Sequence, residues 1–165
     1  MLSISTTNPN QATVAVTLTG AANTYSGGTS VLQNSWLIAQ ADGTLGAGNL
    51  SVTGAQLTLQ AGGTNNYIAD TATVAFSALR ANAINLNYLG SDVVGGISLD
   101  GGTTFLGAGD YSATTLNTLY GSNAFTGNGS LTVVPEPSQT TMIAGAALLM
   151  LVTVRLARRN RMKAC

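Results

Sequence analysis

Leu18-Thr19-Gly20-Ala21-Ala22-Asn23-Thr24-Tyr25-Ser26-Gly27-Gly28-Thr29-Ser30-Val31-Leu32 sets the pattern from which the fold follows. It carries no charge, turns at Gly27-Gly28, and is entered from the alternating segment Thr13-Val14-Ala15-Val16-Thr17-Leu18. Alternation at period two bounded by turn formers is the signature of a strand with one buried face. The same pattern continues through Leu37, Asp42-Gly43-Thr44-Leu45-Gly46, Leu50-Ser51-Val52 and Leu57-Thr58-Leu59.

Further short strands are predicted at Thr73-Val74-Ala75-Phe76, Ile84-Asn85-Leu86-Asn87-Tyr88, Ile97-Ser98-Leu99 and Leu131-Thr132-Val133. Gly62-Gly63, Gly95-Gly96, Asp100-Gly101-Gly102 and Gly127-Asn128-Gly129 punctuate them. Charged residues make up 7% of the chain and aromatics 5%. Very short strands with abundant Asn, Thr and Gly point away from a sandwich and toward a β-solenoid. There, inward side chains stack from rung to rung and polar ladders satisfy the turns. The pattern weakens after Asn66. Between Ile97 and Val134, Phe105, Tyr111, Leu116, Leu119, Tyr120 and Phe125 supply apolar weight for a terminal cap. A short helix is expected within Asp110 to Tyr120, because Leu116, Leu119 and Tyr120 fall at i, i+3 and i+4.

Residues 18–63, through Asn-Thr-Tyr-Ser-Gly-Gly-Thr at 23–29, resemble the autotransporter-associated β-strand repeat. That resemblance implies a right-handed parallel β-helix of the kind found in passenger-like surface proteins. The expected fold is therefore all-β, a right-handed parallel β-helix followed by one C-terminal transmembrane helix. Its expected parts are a β-repeat region at 1–96, a terminal module at 97–132 and a distinct segment at 133–165.

That last segment has its own logic. From Ser138 to Val154 the chain is uncharged and dominated by Met142-Ile143-Ala144-Gly145-Ala146-Ala147-Leu148-Leu149-Met150-Leu151-Val152. As a helix it would span roughly 26 Å, the low end of a bilayer core. Snorkelling by Arg155 extends the expected span to about 139–157. Arg155, Arg158, Arg159, Arg161 and Lys163 follow it, whereas Asp42, Asp70, Asp92, Asp100, Asp110 and Glu136 all precede it. A basic flank favours the cytoplasmic side, which puts the N-terminal part outside. Val134-Pro135-Glu136-Pro137, then a helix with small residues, then an arginine cluster, resembles the PEP-CTERM sorting signal of Gram-negative bacteria. The resemblance implies membrane lipid and an exosortase-type processing enzyme as partners, cleavage near Pro-Glu-Pro, and export to a cell surface or biofilm. Extracellular polysaccharide is a further implied partner. The two prolines keep the segment extended and off the helix, which suits a processing site.

An exported chain should open with a signal peptide. Met1-Leu2-Ser3-Ile4-Ser5-Thr6-Thr7-Asn8-Pro9 has no basic n-region, and Pro9 interrupts any apolar core. The expectation is a C-terminal piece of a longer protein, or a misplaced gene start.

Histidine is absent and Cys165 is the sole cysteine. Ser-His-Asp and Cys-His arrangements, and metal sites built on histidine, are thereby excluded. Asp42-Gly43 and Asp100-Gly101 read as turns in preference to calcium ligands. Gly107-Ala108-Gly109-Asp110 lacks the period of a glycine-aspartate calcium repeat. Tyr25, Trp36, Tyr67 and Tyr88 are candidates for sugar stacking or, more simply, for packing. Arg80 alone makes no nucleic-acid patch. The reading is a structural or adhesive surface protein with no catalytic, cofactor or metal site and no nucleic-acid partner. Its alternatives are a fragment of a β-helix enzyme acting on polysaccharide, or an unprocessed single-pass membrane protein.

Overall fold

A computed structural model describes residues 1–6, 14–21 and 23–134. Two sheets are wound by one chain. The first holds β1 (Leu2–Ile4), β3 (Thr29–Leu32), β5 (Leu50–Thr53), β7 (Thr73–Ser77) and β9 (Gly96–Ser98), in that order and all parallel. The second runs β10 (Gly109–Ser112), β11 (Phe125–Val133), β8 (Ile84–Val94), β6 (Gln56–Gln60), β4 (Ser35–Ala39) and β2 (Val14–Leu18). Only the β10–β11 pair in it is antiparallel. Consecutive strands alternate between the sheets, which makes a parallel β-solenoid of about 4 turns.

Alternation decides which side chains go inside. In the first sheet Ile4, Val31, Val52 and Phe76 stack in register, beside a row of Leu2, Thr29, Leu50, Val74 and Ile97. In the second, Val16, Leu37, Leu57, Ile84 and Phe125 form one inward row. Burying each large apolar side chain contributes about 1.5–3 kcal/mol, so these rows are the main cohesive term of the solenoid. One outward row of the first sheet is small and uncharged: Ser3, Ser30, Ser51, Ala75 and Ser98 run down it.

The long connections also stack. Asn23 N–H donates to Gly43 O at 3.0 Å, Gly43 N–H to Asn66 O at 2.6 Å, and Ala47 N–H to Tyr25 O at 3.1 Å. They bury Leu45, Tyr67 and Ile68 as a third side of the core. In the last turn the corresponding stretch is the second half of β8, which pairs with β11 through Asp92–Leu131 and Val94–Val133.

Strands form at every predicted position. The weakening after Asn66 is a change of connection length, because β7, β8 and β9 extend both ladders without a break in direction. The predicted helix is α1 (Ala113–Tyr120). Ser112 caps it by accepting from Thr115 N–H, and Gly121 closes it at φ 75 with its N–H on Asn117 O. Of the residues expected to cap the core, Leu116 and Phe125 are buried, Tyr111 and Tyr120 are partly buried, and Phe105 and Leu119 face solvent. The helical period placed Leu116 and Leu119 on one face, but β11 covers only the Leu116 side.

Candidate functional site

The outer face of the second sheet is built from the residues that alternate away from the core. Ser35 and Leu37 are fully buried, so Trp36 between them points outward. Parallel register places Trp36 beside Gln56, and aligns Thr17, Ile38, Thr58, Asn85 and Thr126 in a row across the strands. Gln60 and Asn87 make a second step, with Asn87 Nδ2 donating to Gln60 Oε1 at 3.3 Å. Each of these side chains is uncharged.

Trp36 leans over β6, and its Nε1–H donates to Thr58 Oγ1 at 3.0 Å. This explains why Thr58, a solvent-face hydroxyl, is only 6% exposed. Trp36 itself stays half-buried. Beside it lies a groove of about 440 Å³ lined by Gln56, Thr58, Asn82, Asn85 and Thr126. The groove combines one aromatic plane with amides and hydroxyls that both donate and accept.

The other stacking candidates pack. Tyr67 is fully buried and Tyr88 nearly so, with ring centroids 5.2 Å apart. Tyr88 OH donates to Ser130 O at 2.7 Å, while Tyr67 OH accepts from Gly62 N–H at 2.7 Å. Tyr25 shares a 2.9 Å hydrogen bond with Thr29 Oγ1 and donates to Thr44 O.

Asp42 and Asp100 hold backbone, and Asp110 holds side-chain hydroxyls. Asp42 accepts from Thr64 N–H and Asn66 N–H on the next turn. Its slight burial raises its pKa, but the bonds from Thr64, Asn66 and Gly63 win and hold it below the usual carboxylate range. Asp100 is held well below that range by the Thr104 N–H, the Ser98 hydroxyl and the Thr103 N–H, as a turn former should be. Asp110 is lowered by the Ser130 and Thr132 hydroxyls against a small burial penalty, with Ser91 adding to the lowering.

Asp92 differs. It sits in β8 on the core side, 1% exposed, with Oδ2 accepting from Tyr67 N–H and Ile68 N–H at 3.2 Å each. Its Oδ1 has no hydrogen-bond partner. Burial pushes its pKa up to about 8, against the lowering by the Ile68 and Tyr67 N–H groups and with Asp70 and Asp42 adding to the rise. Asp92 keeps the inward parity of Ile84, Leu86 and Tyr88, but the strand predicted at 84–88 stops short of it.

Among the described residues no group of three or more His, Cys, Asp or Glu side chains is placed to hold a metal ion. No helix among them is long and apolar enough to cross a membrane. Val134 follows β11 and is 46% exposed. Pro135, Glu136, Pro137, the expected span at about 139–157, Arg155, Arg158, Arg159, Arg161 and Lys163 lie outside the described residues.

No protein-family model matches the chain, and neither a curated protein nor a solved structure matches it.

Proposed function

We propose that this chain is an exported cell-surface or extracellular-matrix protein with a structural or adhesive role. Its solenoid winds in the right-handed sense and displays uncharged polar faces. Membrane lipid anchors it through a helix at about 139–157, with Arg155, Arg158, Arg159, Arg161 and Lys163 on the cytoplasmic side. Val134-Pro135-Glu136-Pro137 is the stretch offered to an exosortase-type enzyme. Extracellular polysaccharide is the proposed class of adhesive partner, and no catalytic turnover is assigned.

The observation that carries this reading is the order of three elements in the sequence: Pro-Glu-Pro, an uncharged apolar run, then a basic cluster. Their chemistry is that of an oriented, removable anchor. The solenoid supports the same reading. A stack of short rungs gives a low-charge surface suited to extended partners, and Asp42, Asp92 and Asp100 serve the backbone.

Mass spectrometry of the mature C-terminus in the native host tests it. A terminus near Pro135–Pro137 in the surface fraction is the expected result. A mature surface protein still ending in Cys165 would overturn processing and leave a single-pass anchor.

A further inference from the structure

We infer that the groove beside Trp36 on the outer face of the second sheet is a binding site for an extended neutral polysaccharide, with the glycan chain lying across the strands. This deepens the adhesive reading above and rests on it for the ligand's availability.

The composition of the groove selects the ligand class. A sugar ring offers an apolar C–H face and a rim of hydroxyls. The indole of Trp36 matches the first, and Gln56, Asn82 and Asn85 match the second with amides that donate and accept, while Thr126, whose hydroxyl donates to Ile84 O, adds an acceptor. A nucleic acid or acidic polymer would need cations. The single basic residue of the described chain, Arg80, lines a different groove with Gln33, Asn34, Gly54 and Ala78. An apolar ligand would leave the lining amides and hydroxyls unpaired, which costs about 1–3 kcal/mol each.

Geometry selects the direction. Gln56, Asn85 and Thr126 stand on β6, β8 and β11, one polar side chain per strand, while Thr58, in the same row as Asn85 and Thr126, is covered by the indole. Neighbouring strands are about 4.8 Å apart, comparable to the length of one pyranose ring along a glycan. An extended chain laid across the strands meets a fresh hydrogen-bonding group at each step. The indole is also held in place beforehand: its N–H is fixed on Thr58, so little rotamer freedom remains to be lost on binding.

Trp36 is the only tryptophan, so the purified full chain reports on the site directly through its fluorescence. Titration with neutral β-linked and α-linked glucan oligosaccharides should give a saturable emission change. A hexamer should bind at least tenfold more tightly than the monosaccharide. Affinity electrophoresis in gels containing neutral polysaccharide should show wild-type retardation, lost at least tenfold in Trp36→Ala, partly kept in Trp36→Phe and reduced severalfold in Asn85→Ala. Asn85→Ala carries the test if the tryptophan variants prove unfolded by circular dichroism. Absence of any emission change with every neutral glycan would overturn the inference. So would unchanged retardation in folded Trp36→Ala, equal affinity for monosaccharide and hexamer, or binding confined to acidic polymers and abolished by salt. None of these results depends on whether the C-terminus is processed, so the site and the sorting reading fail separately.

Discussion

Phe125 of β11 meets Phe76 of β7 edge to face, with ring centroids 5.2 Å apart and planes at 87°. The two residues belong to different sheets, so this contact joins the two ladders near the C-terminal end of the core. Tyr120 of α1 also packs on Phe125, with ring centroids 6.0 Å apart, and its hydroxyl accepts from Leu79 N–H at 2.9 Å. Asn117 of α1 clamps Phe125 as well, donating to its carbonyl and accepting from its N–H at 2.8 Å each. Helix, last strand and previous turn are therefore fastened at one residue.

Replacing Phe125 by Ala should be among the most damaging single changes to the solenoid. It removes a nearly fully buried ring and leaves a cavity between the sheets, a change that costs about 3–5 kcal/mol. Urea unfolding followed by far-UV circular dichroism should show the midpoint falling sharply. A loss below about 1 kcal/mol would mean that α1 and the first sheet repack around the gap, and that the cap is not fixed by this ring.

Asp92 should make stability fall as pH rises. In the unfolded chain its carboxyl ionises near pH ~3.9. In the folded protein it stays protonated up to about 8. Its contribution is therefore whole below ~4 and is lost as pH climbs through about 8, at no more than ~1.4 kcal/mol per unit. Asp42, Asp100 and Asp110, all lowered, act with the opposite sign and lose their contribution as pH falls below the usual carboxylate range. The Asp92→Asn variant should keep the acid limb and flatten the slope between pH 5 and 9. A melting temperature that declines equally in both proteins over that range would remove Asp92 as the cause.

Gly127 and Gly107 should respond in opposite ways to alanine. Gly127 sits at φ +97, opposite Leu86 and beside the register shift in β11, and a Cβ there would overlap the Leu86 carbonyl. Both the left-handed backbone and the close approach penalise a side chain. Gly107 has open space around its would-be Cβ. Gly127→Ala should cost more than about 2 kcal/mol, while Gly107→Ala stays within about 0.5 kcal/mol. Thermal melts of the two side by side decide this, and equal losses would show that neither crowding nor φ controls the position.

These residues also mark how far sequence alone reaches. Leu57-Thr58-Leu59 and Ile84-Asn85-Leu86 announce strands because alternation is local, and stacking follows because one face of each must be buried. Which residues become neighbours across turns is not local. Thr58 meets Asn85 although the connection between β6 and β8 differs in length from that between β4 and β6. For that reason the polar row and the groove beside Trp36 were invisible until the register was known. Asp92 was hidden differently: β8 continues past a Leu89-Gly90 irregularity, and only the resumed inward face shows that the carboxyl is in the core.

The corner that joins the first sheet to the second offers a stabilising change. Asn34, Gly54 and Ala78 occupy equivalent places on successive turns, with φ of 57, 60 and 50. Asn34 N–H donates to Gly54 O at 3.2 Å and Gly54 N–H to Ser77 O at 3.0 Å, so the corner's backbone is bonded from turn to turn. These three turns thus share the left-handed conformation there. Glycine adopts it freely and asparagine tolerates it, but alanine pays about 1–2 kcal/mol for its Cβ. Ala78→Gly should relieve that strain and lose about 0.5–1 kcal/mol to the greater freedom of the unfolded chain, for a net gain on the order of 0.5 kcal/mol. Gly54→Ala reverses both terms at the equivalent place and should destabilise by a similar or larger amount. Differential scanning calorimetry should therefore place the three melting temperatures in the order Ala78→Gly, wild type, Gly54→Ala. If Ala78→Gly melted lower than wild type, the Ala78 methyl would be contributing packing that outweighs the strain of its φ.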